Sequence, residues 1–284
     1  MPLDFVTTQR IADIPDHLDF DVMFEPTKLE GKKYVVNGDT GDYIGIVGND
    51  FPNEPHNKFF NTVQDVMTEK LSTYELQNAD VRWRTANNNA WAMMDITLPN
   101  TKTVIGNDKH STEVAQRVIA LRAIDGSCSN QVFFGAIDFF CTNGMIRGEH
   151  DKVRRKNTSG FSVDRFANQL RRANEDFILQ TQQLNRWANK SLMTVDVKGF
   201  LEKLMGSDRA AEKMFSLYNQ EVSVRGRNVF ALYSAFTNYA TYADERNGFQ
   251  MRRTGNDTGA ITMFKRENEV AKWISSPKFQ QIAA

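Results

Sequence analysis

"DVRWRTANNNAWAMMDITL", residues 80 to 98, sets two runs of alternating apolar and polar residues on either side of three consecutive asparagines. Alternation with a period of two marks a half-buried strand, and Asn tolerates positive φ, so Asn87, Asn88 and Asn89 read as the tip of an antiparallel hairpin. If that tip is a three-residue loop, Trp83 faces Met93 and Thr85 faces Trp91. Both tryptophans then share one packed face, and Arg82 and Arg84 point to the other.

The same device recurs on both sides. "RVIALRAIDGSCSNQVFFGAIDFF", residues 117 to 140, turns at Asp125 to Asn130, and "KKYVVNGDTGDYIGIVG", residues 32 to 48, places two β-rich runs about a Gly/Asp turn. Connections this short cannot carry the crossovers of parallel strands, so a meander of about six antiparallel strands is expected. Between the hairpins Asn53, Glu54 and Pro55 open a helix in which Phe59, Phe60, Val63, Val66, Met67 and Leu71 follow at helical spacing. After Gly160 the texture turns helical: Val163, Phe166, Leu170, Ala173, Phe177, Leu184 and Trp187 predict one long amphipathic helix. Shorter helices are expected from Asp196 and from Ser207, another over 228–246, and a last one over roughly 266–281 disturbed at Pro277. The fold class is α+β. An acidic lead-in arm covers 1–30, a β-rich part with one helix 31–161, and a helical part 162–284, without two independent domains.

Hydrophobic and charged fractions of 40% and 25% are those of a globular chain. Acids stand where a signal peptide needs cations, and no window approaches the roughly 18 to 20 apolar residues of a membrane span, so a cytoplasmic protein without a membrane partner is expected. Cys128 and Cys141 form no CxxC pair and read as reduced structural thiols. A net charge of zero hides an asymmetry: residues 1–79 hold six cations and fourteen acids, and residues 147–190 hold ten cations and five acids.

Catalytic signatures are missing at each place where one could begin. "GDTGDYIGIVG" has glycines but no following Lys-Ser/Thr, and Asp39 and Asp42 would repel a phosphate. His17, His56, His110 and His150 are scattered without zinc-ligand spacing. No GxSxG elbow occurs, and the acids of "TVDVK" and "ENEVAK" are isolated rather than clustered for magnesium. No catalytic residue, metal or cofactor is assigned, although a carboxylate site assembled from distant segments would leave no local trace.

Two features remain. "FFCTNGMIRGEHDKVRRKNTSG", residues 139 to 160, concentrates Arg147, Lys152, Arg154, Arg155 and Lys156 on a loop or hairpin punctuated by glycines. Clustered cations beside Asn, Thr and Ser suit phosphate oxygens without base preference, and Arg82 and Arg84 would add a second basic row. A solvated loop neutralising the acidic N-terminal region is the competing reading. The second feature is "NVFALYSAFTNYATY", residues 228 to 242, with Phe230, Tyr233, Phe236, Tyr239 and Tyr242 three apart. That spacing drifts about 60° per step on a helix, so the five wind around it. They belong to a helix buried on several sides, or to a protomer contact or base-stacking surface, and an oligomer interface is the assignment adopted.

Asp125, Gly126 and Ser127, then Cys141, Asn143 and Gly144, then the basic "HDKVRRKNTSG" give a pattern that resembles a phage and plasmid family of unknown function. Its elements are an Asp-Gly-Ser strand turn, a Cys-x-Asn-Gly/Thr strand end and a basic Arg-His-Thr stretch; here His150 precedes the cations. "NVFALYSAFTNYATYADER" is similar to that family's Leu-Tyr-Asn-Ala-Val-Thr-x-Tyr helix, with Ser234 where the family favours Asn. The resemblance spans residues 33 to 284 and implies a phage or mobile-element setting, with no catalytic residues to carry over. A β-meander followed by a long helix is also similar in outline to single-strand annealing proteins of the RecT, Red beta and eukaryotic Rad type, which hold single-stranded DNA in rings or filaments. That likeness implies a DNA-binding homo-oligomer that anneals strands in recombination without ATP, with a phage exonuclease or a host single-strand-binding protein as candidate partner. The alternatives are an interaction module that inhibits a host defence or repair enzyme through the acidic N-terminal region, and a metal-dependent nuclease.

Overall fold

The structure is a computed structural model that describes residues 11–128, 130–138, 144–146, 152–155, 163–242 and 260–284. The fold is α+β, with antiparallel sheets followed by a helical C-terminal part. β1 (Val22–Pro26), β2 (Lys32–Asn37) and β3 (Tyr43–Gly48) form a three-stranded sheet in that order. β1 corrects the expectation of an irregular arm to residue 30. Val22 and Phe24 alternate inward, and β1 pairs with β2 from Val22 opposite Asn37 to Pro26 opposite Lys33.

The second sheet has six strands: β4 (Asp80–Ala86), β5 (Trp91–Gly106), β6 (Ser111–Ala123), β7 (Asn130–Asp138), β8 (Gly144–Ile146) and β9 (Lys152–Arg155). The first five lie side by side in chain order, and β9 also pairs with β7. The meander expected from the sequence is thus divided between two sheets.

The hairpin β4–β5 forms where the sequence places it, with a register one residue away. Ala86 pairs with Trp91, Thr85 with Ala92, Arg84 with Met93, Trp83 with Met94 and Arg82 with Asp95. The loop has four residues because Ala90 joins the asparagines: its N–H donates to the Asn87 carbonyl at 2.9 Å, and its own carbonyl accepts from Ile124 N–H at 2.8 Å. Asn87, Asn88 and Asn89 all adopt positive φ, of 51°, 51° and 62°. A one-residue slip sends every side chain to the other face. Trp83 and Trp91 therefore lie on opposite faces, and Arg82 and Arg84 share a face with Trp91, Met93 and Asp95.

Helices α1 (His56–Lys70) and α2 (Thr73–Leu76) stand between the sheets in sequence; α3 (Val163–Asn189), α4 (Val197–Met205), α5 (Asp208–Arg225), α6 (Val229–Tyr242), α7 (Ala260–Ile274) and α8 (Pro277–Ala283) follow them. Asp196 and Ser207 cap α4 and α5 as expected, accepting from Gly199 N–H at 3.0 Å and Ala210 N–H at 3.4 Å. The last helix is two. Ser276 caps α8, and Pro277 occupies the helix start, where its missing N–H costs nothing.

By contacts the chain forms two compact units: Met1–Asn100 with Val118–Phe133 and Lys152–Arg172, and Thr101–Arg117 with Phe134–Asp151 and Ala173–Ala284. Within the first, α1 buries Phe59, Phe60, Val63, Val66 and Met67, and Phe60 meets Trp83 edge-on at 5.0 Å. Within the second, Trp187 packs against Tyr233 and Phe279, each at 5.3 Å, while Phe236 and Tyr239 pack against Trp273 at 5.5 and 5.8 Å.

That packing corrects the interface assigned to α6. Phe230, Tyr233, Phe236 and Tyr239 are 2%, 4%, 0% and 4% exposed within a single chain, so none offers a surface to a neighbour. A helix apolar all round is buried all round, and Ser234 and Thr237 between the rings are buried with them. The side chain of Tyr242 lies outside the described residues.

Candidate nucleic-acid interface

The cations of 152–155 are built into a strand and not a flexible loop. β9 runs antiparallel to β7, with Lys152 opposite Phe133, Val153 opposite Val132, Arg154 opposite Gln131 and Arg155 opposite Asn130. Among the described residues β9 pairs with β7 alone, so it is an edge strand. Cations on an edge also discourage pairing with another chain's strand. Arg147 and Lys156, and the side chains of Lys152, Arg154 and Arg155, lie outside the described residues. The cationic sequence continues into α3: residues 152–172 hold seven Lys and Arg against Asp164 alone. Asp164 occupies the first turn of α3, where the helix dipole favours an acid, and Arg172 is exposed.

Arg82 and Arg84 lie on β4, at the opposite edge of the same sheet. Four interstrand steps separate β4 from β9 through β5, β6 and β7, roughly 19 Å across the sheet. The two basic rows are thus in one sheet and not side by side. Arg82 is exposed and paired with Asp80, Nε to Oδ2 at 2.9 Å. An exposed pair of this kind contributes little to stability and can exchange its carboxylate for a phosphate. Arg84 is half-buried opposite Met93, so the pair is not a free basic row.

Several other charges are committed to the interior. Arg117 and Arg122, both on β6, are almost fully buried; Arg117 bonds Glu267 at 3.1 Å and Arg122 bonds Glu54 at 3.0 Å. Burial lowers the pKa of Arg122, and the Glu54 carboxylate offsets part of that. His56 is buried beside this pair. Its Nε2–H donates to the Asn89 carbonyl at 2.8 Å, and burial pushes its pKa down to about 3; the Asn89 bond opposes this shift and the Arg122 charge adds to it. The imidazole is therefore neutral at ordinary pH. Glu221, Arg225 and Asn238 form a further buried set: Glu221 accepts from Arg225 Nε at 2.9 Å and from Asn238 Nδ2 at 3.1 Å.

The roles of Glu54, His56 and Arg122 were missed in the sequence. The available signal was an Arg inside an otherwise apolar strand, because such a charge must have a partner. The Asp125–Ser127 turn lies in the same unit, with the Asp125 carboxylate accepting from Ser127 N–H at 2.9 Å, and an added Cβ on Gly45 would come within 2.9 Å of Asp125 Cβ. Among the described residues no group of three or more His, Cys, Asp or Glu could hold a metal ion, and no helix is long and apolar enough to cross a membrane.

No curated protein and no solved structure matches the chain significantly. The model of one family, the domain of unknown function DUF932, matches residues 43–273, from the first residue of β3 to the last turn of α7. With most of its length matched across both units, the chain belongs to the DUF932 family.

Proposed function

We propose that this DUF932 chain binds single-stranded DNA through the basic stretch that begins at β9 and runs into α3, and that it pairs complementary strands without a nucleotide cofactor. One observation carries this reading: seven cations against one acid over residues 152–172, beginning on a strand hydrogen-bonded into the six-stranded sheet. The strand fixes the backbone spacing of Lys152, Arg154 and Arg155, and clustered cations suit the phosphates of a single strand. Contacts to phosphates leave base edges readable, as annealing requires, and make binding nearly indifferent to sequence. The outline likeness to RecT and Red beta proteins, a phage or mobile-element setting, and a partnership with an exonuclease or a single-strand-binding protein are parts of the same proposal.

The test mixes two labelled complementary oligonucleotides with the protein at low salt, with and without magnesium. Pairing faster than the spontaneous rate, with both strands intact, is expected. No acceleration at any protein-to-nucleotide ratio contradicts annealing, and strand cleavage with magnesium moves the chain to the nucleases.

A further inference from the structure

The three-stranded sheet has two unlike faces. Phe24, Val35 and Val47 turn into the core with Phe20, Ala90 and Ile124. On the other side the register forms two rows, Met23–Val36–Tyr43 and Glu25–Tyr34–Ile46. Met23, Tyr43 and Ile46 are 53%, 57% and 38% exposed, and the rings of Tyr34 and Tyr43 meet edge-on at 5.7 Å. Leu29, in the turn between β1 and β2, is exposed as well. A contiguous apolar face on a polar surface marks a contact.

Its rim says what the contact is with. Asp21, Glu25, Glu30, Asp39 and Asp42 are all exposed around it. Residues 13–50 hold nine acids against Lys28, Lys32 and Lys33, and Lys33 is already engaged, its Nζ 2.8 Å from the Phe51 carbonyl and 3.5 Å above the Phe24 ring. Two such faces repel each other, which disfavours a symmetric face-to-face dimer. The partner must be basic, and the chain carries one concentrated basic stretch of its own, residues 152–172.

We propose that the outer face of β1–β3 docks on the 152–172 stretch of a second copy, head to tail. The rim carboxylates occupy the cations that would otherwise hold phosphate. Assembly and nucleic-acid binding therefore compete: the free protein keeps its cations covered by a neighbour, and DNA releases them. The competition rests on the function proposed above; the docking surface does not.

Light scattering of the full chain tests both, from about 0.01 to about 1 M salt, over which the screening length falls from about 30 to about 3 Å. It is run with and without an excess of oligothymidylate, alongside the Tyr43→Lys/Ile46→Lys variant and, as a change that leaves every apolar side chain of the face in place, Glu25→Lys/Asp42→Lys. The wild type should exceed monomer mass at low salt and return to it at high salt or with oligothymidylate. Both variants should stay monomeric and, at concentrations where the wild type assembles, bind oligonucleotide severalfold tighter than it does; equal affinity there overturns the competition. A wild type monomeric at low salt, or variants that assemble as it does, overturns the docking surface, and retained oligonucleotide binding then leaves the proposed function standing. Salt-sensitive assembly lost in both variants, with no oligonucleotide binding by any of them, upholds the docking surface and overturns the competition.

Discussion

The guanidinium of Arg122 on β6 donates from Nη1 to Glu54 Oε2 at 3.0 Å and from Nη2 to the Glu54 carbonyl, tying the sheet to a residue two positions before the start of α1. Arg122 is 2% exposed on its side chain and Glu54 22%. Removing only the acid leaves a buried charge without its counterion. Glu54→Ala should therefore cost about 3 kcal/mol, read as a lower urea midpoint, whereas Glu54→Leu/Arg122→Met should cost clearly less than either single change. A midpoint unmoved by Glu54→Ala would show that the pair does not hold α1 to the sheet.

His56 predicts a pH dependence with a definite sign. Its pKa is about 3 in the folded chain against 6.5 as the ordinary value, so below pH 6.5 the unfolded chain binds a proton that the folded chain refuses. Stability from this group is complete above pH 6.5 and falls with pH by about 1.4 kcal/mol per unit towards pH 3. Urea unfolding at pH 7 and pH 5 should show this slope in the wild type. His56→Gln, which cannot titrate, should flatten it by one proton's worth.

The asparagine loop can be tested at Asn88, where φ is 51° and the side chain is exposed. Asn88→Val should destabilise by about 1 to 2 kcal/mol and Asn88→Gly should be close to neutral, because only the first places a branched Cβ in the left-handed region. Equal effects in thermal melts would mean that the loop does not hold this conformation.

Phe236 distinguishes core from interface on α6. Fully buried against Trp273 and Phe279, it should cost about 3 to 5 kcal/mol when changed to Ala. A side chain that served only a protomer contact would leave the unfolding midpoint of dilute protein unchanged.

Periodicity made most elements legible. The hairpin about Asn87–Asn89, the α3 stripe of Phe166, Leu170, Phe177, Leu184 and Trp187, and the Asp196 and Ser207 caps were all readable from neighbouring residues. What the sequence hid depends on partners far along the chain. The four-residue loop is fixed by Ile124, which takes the Ala90 carbonyl, and local alternation cannot see it. Burial of the α6 rings depends on Trp187, Trp273 and Phe279, from three other helices. The same holds for the basic segment, whose composition was plain while its pairing with β7 was not, since that pairing reaches back over the whole β7–β9 connection.

The salt dependence of oligonucleotide binding tests the central claim most directly, comparing the wild type with Arg154→Ala/Arg155→Ala/Lys156→Ala. Each phosphate contact on a single strand contributes about 0.7 to the slope of log K against log salt. The wild type should bind with a steep negative slope, and the triple variant should bind more weakly with a slope shallower by up to about 2. A folded variant with the wild-type slope, or a wild type that does not bind at low salt, would contradict the account.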